Sequence, residues 1–226
     1  MRHDVHQAPA GRRLIFWRHG RTAWNERGLF QGQQDIELDP VGRRQASRAA
    51  ATLLQRVPSR IVSSDLSRAA STARELGRRA GIDIRLDKRL RETAAGRWEG
   101  LGFAEIAEQF PAENAAWRSG DPLVRAGGAE NREEVGARVL ASALEELRTL
   151  APGQTLVLVS HGGAIRAGVA ALMGLPSTLW GSLAGVSNCH WSVLDEPVGD
   201  GATPGSWQLQ EHNVGLGSFT AEPLEG

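Results

Sequence analysis

The 226-residue chain has one cysteine, Cys189, one lysine, Lys88, and no tyrosine. A single thiol excludes an internal disulfide and is compatible with a reducing compartment. An excess of either charge is also missing, since Lys plus Arg and Asp plus Glu both number 26. Without a net field, neither nucleic acid nor a membrane surface is an expected partner, and any anion must be bound by a local cluster. No apolar run approaches the length of a membrane span. Met1 to Arg13 lacks the apolar core of a signal peptide. These absences make a cytoplasmic protein the expectation. The length suits one domain, read as residues 13–213, with residues 1–12 and 214–226 as flexible polar tails.

The basic residues present are almost all arginine, whose planar fork suits phosphate better than the point charge of lysine. Leu14-Ile15-Phe16-Trp17 is a short apolar run that stops at Arg18-His19-Gly20, a buried strand feeding a turn. Asp39-Pro40 reads as an N-cap followed by proline in the first helical turn. Ala46, Ala49, Ala50, Leu53 and Leu54 follow at helical spacing. Arg60 to Ser64 is a second strand, and Leu66 to Ala80 an amphipathic helix ended near Gly81. Residues 90–130 are rich in Gly, Trp and Glu and read as an inserted cap of short helices, one of them Phe103 to Phe110. A long helix with Val135, Val139, Ala143 and Leu147 precedes Thr155 to Ser160, a strand apolar enough to lie in a sheet covered on both faces. His161-Gly162-Gly163 then opens a helix running to about Gly174. Cys189 to Leu194 and Trp207 to Gln210 read as a final antiparallel pair. Strands alternating with long helices predict an α/β fold, a three-layer sandwich around a mostly parallel sheet with a small helical cap. Both His-Gly junctions then fall at the carboxyl edge of the sheet, where such folds bind ligands.

Phosphoryl transfer asks for what those junctions hold. A neutral imidazole can attack a phosphate dianion without adding charge, and its phosphorylated form can be hydrolysed. Arginines neutralise the non-bridging oxygens, and a carboxylic acid protonates the departing oxygen. A lone histidine after a strand is more often structural, and His190 and His212 are read that way, with Cys189 as a small core residue. His3 and His6 sit in the tail and are expected to be idle. Adjacent arginines and the lack of an H-x-H or H-x-x-x-H pair disfavour a metal, so no metal and no cofactor is expected.

Arg18-His19-Gly20-Arg21-Thr22 through Asn25 resembles the R-H-G-x-T-x-x-N signature of the histidine phosphatase superfamily, also called phosphoglycerate mutase-like. In order along the chain, Ser63-Ser64-Asp65-Leu66-Ser67-Arg68 with Thr72, Leu90-Arg91-Glu92 with Gly96 to Gly100, and Val159-Ser160-His161-Gly162-Gly163 resemble its other motifs. The similarity spans roughly residues 13–195. It implies that His19 is the nucleophile and that Arg18, Arg68 and His161, the last as imidazolium, hold the phosphoryl oxygens. It further implies that Glu92 is the acid and that Asn25 and the Gly162 N–H add donors. Glu99 is the competitor for the acid role, and Glu92 is preferred on motif position. Arg166 either reaches the site or forms a structural ion pair. Tryptophan stacks well on sugar faces, and one of Trp24, Trp98 and Trp117 is expected to line the pocket, Trp24 being taken as the substrate contact. Gly127-Gly128-Ala129-Glu130 resembles a stretch that closes the pocket, with Glu130 a candidate for contacting substrate hydroxyls.

The resemblance therefore implies a phosphomonoesterase working through phosphohistidine on a small phosphorylated metabolite. A homodimer is left open. Two alternatives are a cofactor-dependent phosphoglycerate mutase and a non-catalytic phosphate-binding module. The unbroken motifs disfavour the module. The segment from Glu92 to His161 is shorter than in the mutases it resembles, which favours an open pocket and hydrolysis. Leu175-Pro176 to Trp180 and Gly185 to Trp191 show a looser similarity to bacterial glucosyl-3-phosphoglycerate phosphatases.

Overall fold

The computed structural model describes residues 11–197 and 203–216. One six-stranded sheet has the order β3-β2-β4-β1-β5-β6. Its strands are β1 (Arg13–Arg18), β2 (Pro58–Ser63), β3 (Ile84–Leu86), β4 (Thr155–Ser160), β5 (Trp191–Asp195) and β6 (Gln208–Val214). The first four run parallel, β5 is antiparallel to β1, and β6 is antiparallel to β5.

Successive side chains of a strand point to opposite faces, and here both faces are apolar. Leu14 and Phe16 of β1 and Leu156 and Leu158 of β4 face one core, which is completed by α6 (Arg132–Leu147) and α7 (Gly162–Leu172). Ile15 and Trp17 with Val157 and Val159 face the other, completed by α2 (Pro40–Leu54) and α3 (Ser67–Ala80). The three-layer sandwich follows from that double burial. Local signals set the helix ends. Asp39 caps α2 by accepting from the Gly42 N–H at 2.7 Å. Asn131 forms a capping box with Glu134 at the start of α6. Gly81 closes α3 with a left-handed φ of 68°.

Between β3 and α6 lies the cap. Its helices are α4 (Phe103–Gln109) and α5 (Pro111–Arg118), beside three short 3₁₀ turns. Ala95, Trp98, Ile106 and Ala126 give it a small core of its own, flanked by Phe30 and Trp117. The remaining helix, α1 (Ala23–Glu26), is a single turn capped by Thr22. Among the described residues no helix is long and apolar enough to cross a membrane.

Several expectations need correction. Arg12 is part of the folded body rather than a tail, because its guanidinium pairs with Glu196 beside the β1–β5 edge. Val214 belongs to β6. His3, His6 and the chain end beyond residue 216 lie outside the described residues. Cys189 is not in a strand. It sits in the turn before β5 with φ 57°, buried against Trp17 and Trp191. The three-residue β3 has too little periodicity to be read from sequence.

Gly168 shows how closely the layers pack. A Cβ there would stand 2.4 Å from Val139 Cγ1 and 3.3 Å from the Phe16 ring. Gly168→Ala is expected to destabilise the protein by roughly 1–3 kcal/mol through overpacking, despite the better helix propensity of alanine. An equal or raised denaturation midpoint in urea would show that α6 and α7 are free to separate.

Candidate active site

β1 and β4 are parallel neighbours with Arg18 opposite Ser160, so the residues that follow them emerge side by side. The His19 N–H donates to the Ser160 carbonyl at 3.1 Å, and the His19 and His161 ring centroids are 5.0 Å apart. The glycine after His19 is required by close approach, since a Cβ on Gly20 would lie 2.4 Å from the Gly42 carbonyl oxygen at the start of α2.

His19 Nδ1 lies 2.7 Å from the Gly20 carbonyl oxygen. An oxygen with no proton of its own requires Nδ1 to be the donor, so Nε2 keeps the lone pair. Burial, with Arg68 and Arg18 adding to it, holds His19 well below the ordinary imidazole range. The ring is neutral, with Nε2 unprotonated.

His161 is also buried, and burial followed by the charge of Arg68 lowers it in the same direction. Arg68 Nε donates to His161 Nδ1 at 3.1 Å, and His161 Nε2 sits 2.9 Å from Ser64 Oγ. An imidazolium would set two N–H groups against each other at Nδ1. The expected imidazolium is therefore corrected to a neutral ring, protonated on Nε2, that holds Arg68 in place. The other donors of Arg68 reach the Gln34 and Gly32 carbonyls, and the guanidinium is fully buried. Burial pulls Arg68 down to about 10.

Arg18 donates through NH1 to the Val186 carbonyl at 2.6 Å, while its buried Nε has no partner. A buried guanidinium N–H without an acceptor is costly, and Arg18 is one of the residues that line the cavity described below. Asn25 accepts at Oδ1 from Thr22 and from Asn188 Nδ2, which leaves its own Nδ2 as a donor. Asn188 also donates to the His19 carbonyl at 3.0 Å. Sequence reasoning missed Asn188, although it lies in the stretch Gly185 to Trp191.

The α7 N-terminus has no capping side chain of its own. Its cap comes from the start of the inserted segment. Glu92 Oε2 accepts from the Gly163 N–H at 3.0 Å, and Oε1 accepts from Ala164 and Thr93 at 2.9 Å each. The acid is thus fixed one turn from His161, beside the free N–H of Gly162 that opens the helix. Glu99 is elsewhere, bracing the Gln33 and Ala95 N–H groups.

A cavity of about 290 Å³ is lined by Arg18, Glu92, Gly162, Trp117, Trp180 and Arg166, among others. Trp24, expected to contact substrate, does not line it, and its ring packs near Gly100; of the three tryptophans considered, Trp117 lines it. Glu130 is also outside the lining. It is paired with Arg138, and its Oε2 accepts from the Ala94 N–H at 2.8 Å. Arg138, absent from the sequence reading, donates to the carbonyls of Arg89, Arg91 and Glu92 and so holds the acid-bearing loop. The available signal was a charge on the apolar face of α6, between Val135 and Val139. Arg166 forms no ion pair among the described residues, and its buried Nε is unpartnered. Among the described residues no group of three His, Cys, Asp or Glu side chains is placed to hold a metal ion.

The model of the histidine phosphatase superfamily (branch 1) matches residues 14–214. The chain belongs to the histidine phosphatase superfamily. Within that superfamily it is a phosphatase, an enzyme that hydrolyses phosphate monoesters. It is 42% identical over 212 residues to the glucosyl-3-phosphoglycerate phosphatase of Mycobacterium tuberculosis, covering 90% of this chain and 95% of that one. The solved structure of a mycobacterial glucosyl-3-phosphoglycerate phosphatase with VO3 matches with a TM-score of 0.82 at 41% identity, over 89% of this chain and 98% of that one. A probable phosphoglycerate mutase of Cronobacter sakazakii is 35% identical over 182 residues, 79% of this chain and 82% of its own length.

Neutral burial of two histidines has a consequence for stability. The unfolded chain's imidazoles take up protons near pH 6.5, while His19 and His161 in the folded protein do so only well below it. Below pH 6.5 the unfolded state therefore binds more protons and stability falls, by roughly 1 kcal/mol per pH unit for each histidine. The urea midpoint is expected to drop between pH 7 and pH 5.5, and the His19→Asn variant to lose part of that slope. A midpoint independent of pH over this interval would mean that the rings take up protons in the fold as they do in the unfolded chain.

Proposed function

We propose that the protein is a glucosyl-3-phosphoglycerate phosphatase acting through a phosphohistidine on His19. The observation that carries this reading is the Nδ1 bond to Gly20, which presents a neutral Nε2 lone pair beside two arginines. Arg18 Nε, the Asn25 amide and the Gly162 N–H at the start of α7 are the donors that would receive the phosphoryl oxygens. Arg68, pinned by His161, adds its field. His19 Nε2 attacks phosphorus as the ester P–O bond breaks, and the leaving oxygen takes a proton from Glu92. Water then attacks the phosphohistidine, gives its proton to Glu92, and releases inorganic phosphate with His19 restored.

The similarity to the mycobacterial enzyme over nearly the whole length of both chains supports the glucosyl-3-phosphoglycerate assignment. Cytoplasmic action without a metal, on a small phosphorylated metabolite, belongs to the same reading. The mutase alternative is weaker, because the mutase-named relative is less similar and covers less of the chain. The short cap, with only α4 and α5, leaves the cavity open to water, which suits hydrolysis.

Rapid quench with labelled substrate is expected to trap acid-labile, base-stable phosphate on His19, and His19→Ala to abolish it. Glu92→Gln is expected to slow hydrolysis of glucosyl-3-phosphoglycerate by about a hundredfold or more, the usual scale of general acid catalysis. Its effect on p-nitrophenyl phosphate should be far smaller, because that leaving group needs no proton. Label on Ser, Asp or Cys189 would overturn the mechanism. Equal losses on both esters would remove Glu92 from the acid role.

A further inference from the structure

The site described so far accounts for the phosphate but leaves two cationic side chains of the cavity unused. A second cavity of about 320 Å³ is lined by Trp98, Ile106 and Asn114 of the cap. Phe30, Phe103, Trp117, Arg132 and Arg166 line both cavities, whereas Arg18, Glu92 and Gly162 line only the first. The two spaces are therefore contiguous, and Arg132 and Arg166 stand at their junction, beyond the phosphate-binding groups.

Neither arginine has a carboxylate partner among the described residues, although 14 others are paired. Arg132 has its Cζ over the Trp117 ring, 3.7 Å from the centroid, and donates to the Asp121 and Trp117 carbonyls at 2.8 Å and 2.7 Å. These bonds fix its position without neutralising it. Arg166 has a buried Nε with no acceptor, and a Cβ on Gly185 would stand 3.1 Å from its NH2. Burial and the charge of Arg166 together lower Arg132 to about 10, which marks the pair as mutually repulsive. The one acid lining either cavity is Glu92. With Arg18 assigned to the phosphate, the half-buried Arg132 and Arg166, with the exposed Arg118 also lining the second cavity, face one carboxylate, so the lining carries an excess of positive charge. A planar monoanion matches two guanidinium forks in both charge and shape.

We propose that Arg166 and Arg132 form an anion subsite that takes the carboxylate of the leaving group, so that the enzyme selects phosphate esters of hydroxy acids over esters of neutral alcohols. The proposal rests on the phosphatase reading above and adds to it the groups that choose the substrate. Arg166, one turn into α7 from the residues bonded to Glu92, sets the carboxylate beside the ester oxygen that Glu92 protonates. The uncharged body of the leaving group then enters the second cavity, against Trp117 and Trp98.

The test compares two esters that differ only at this group, glucosyl-3-phosphoglycerate and glucosylglycerol 3-phosphate, in which a hydroxymethyl replaces the carboxylate. Wild type is expected to favour the first in kcat/KM. In Arg166→Gln that preference should fall at least tenfold, mainly through KM, with partial recovery in Arg166→Lys, and Arg132→Gln should lower it in the same direction. A ratio taken on one preparation is independent of the fraction folded. No preference in wild type, or equal losses on both esters in the variants, would overturn the subsite. So would a comparable preference for fructose 1,6-bisphosphate over fructose 6-phosphate that Arg166→Gln removes, since the group read would then be a second phosphate. Hydrolysis of p-nitrophenyl phosphate by wild type keeps the two conclusions separate, because its absence would overturn the phosphatase reading itself.

Discussion

Three backbone N–H groups, from Thr93, Gly163 and Ala164, converge on the carboxylate of Glu92. Much of the site depends on that contact. It caps a helix whose own N-cap residue, His161, has a side chain committed to Arg68 and Ser64. It also joins the inserted cap to the sheet at the edge where His19 and His161 emerge. A helix terminus needs acceptors, and the Glu92 carboxylate supplies them from another segment and is itself fixed in position by doing so. Behind it, Arg138 gathers three carbonyls of the same loop and pairs with Glu130, so the acid rests on α6 as well as α7.

The charges at the site are ordered by burial. Arg68 is buried completely and bonded only to protein. Its charge adds to burial, the larger cause, in keeping both histidines neutral. Arg18 keeps one unsatisfied donor, and Arg166 another. Donors already bonded to carbonyls shape the site, while the Nε groups of Arg18 and Arg166 remain unbonded at the cavity that both residues line. Histidine chemistry on a dianion requires this separation, because a protonated His19 would have no lone pair to offer.

The layers and the motif junctions were legible in the sequence because they rest on local signals. The apolar runs of β1 and β4, the Asp39-Pro40 start and Gly81 stop, and the order of Arg18-His19-Gly20, Arg68, Glu92 and His161 all needed only neighbouring residues. What was not legible depends on residues far apart in the chain. The protonation of His161 is set by Arg68, 93 residues away. Glu130 faces Arg138 rather than substrate, Trp24 packs on the cap, and Cys189 turns rather than extends because its N–H is held by the His19 carbonyl. Arg138 and Arg166 lie on helix faces where composition alone cannot tell a brace from a ligand.

The β1–β4 register also bears on how the molecule acquires its activity. Arg18 and Ser160 are paired although about 140 residues separate them, and every partner of His19 across that seam is absent until the pair closes. Closing so long a loop costs entropy before any contact offsets it, so such pairings form slowly. During synthesis β4 emerges only after the cap and α6 are complete, and the N-terminal half carries an intact Arg18-His19-Gly20 turn with no chemistry in it. Catalysis is thus a late property of the chain, and turnover reports a finished sheet rather than a folded half.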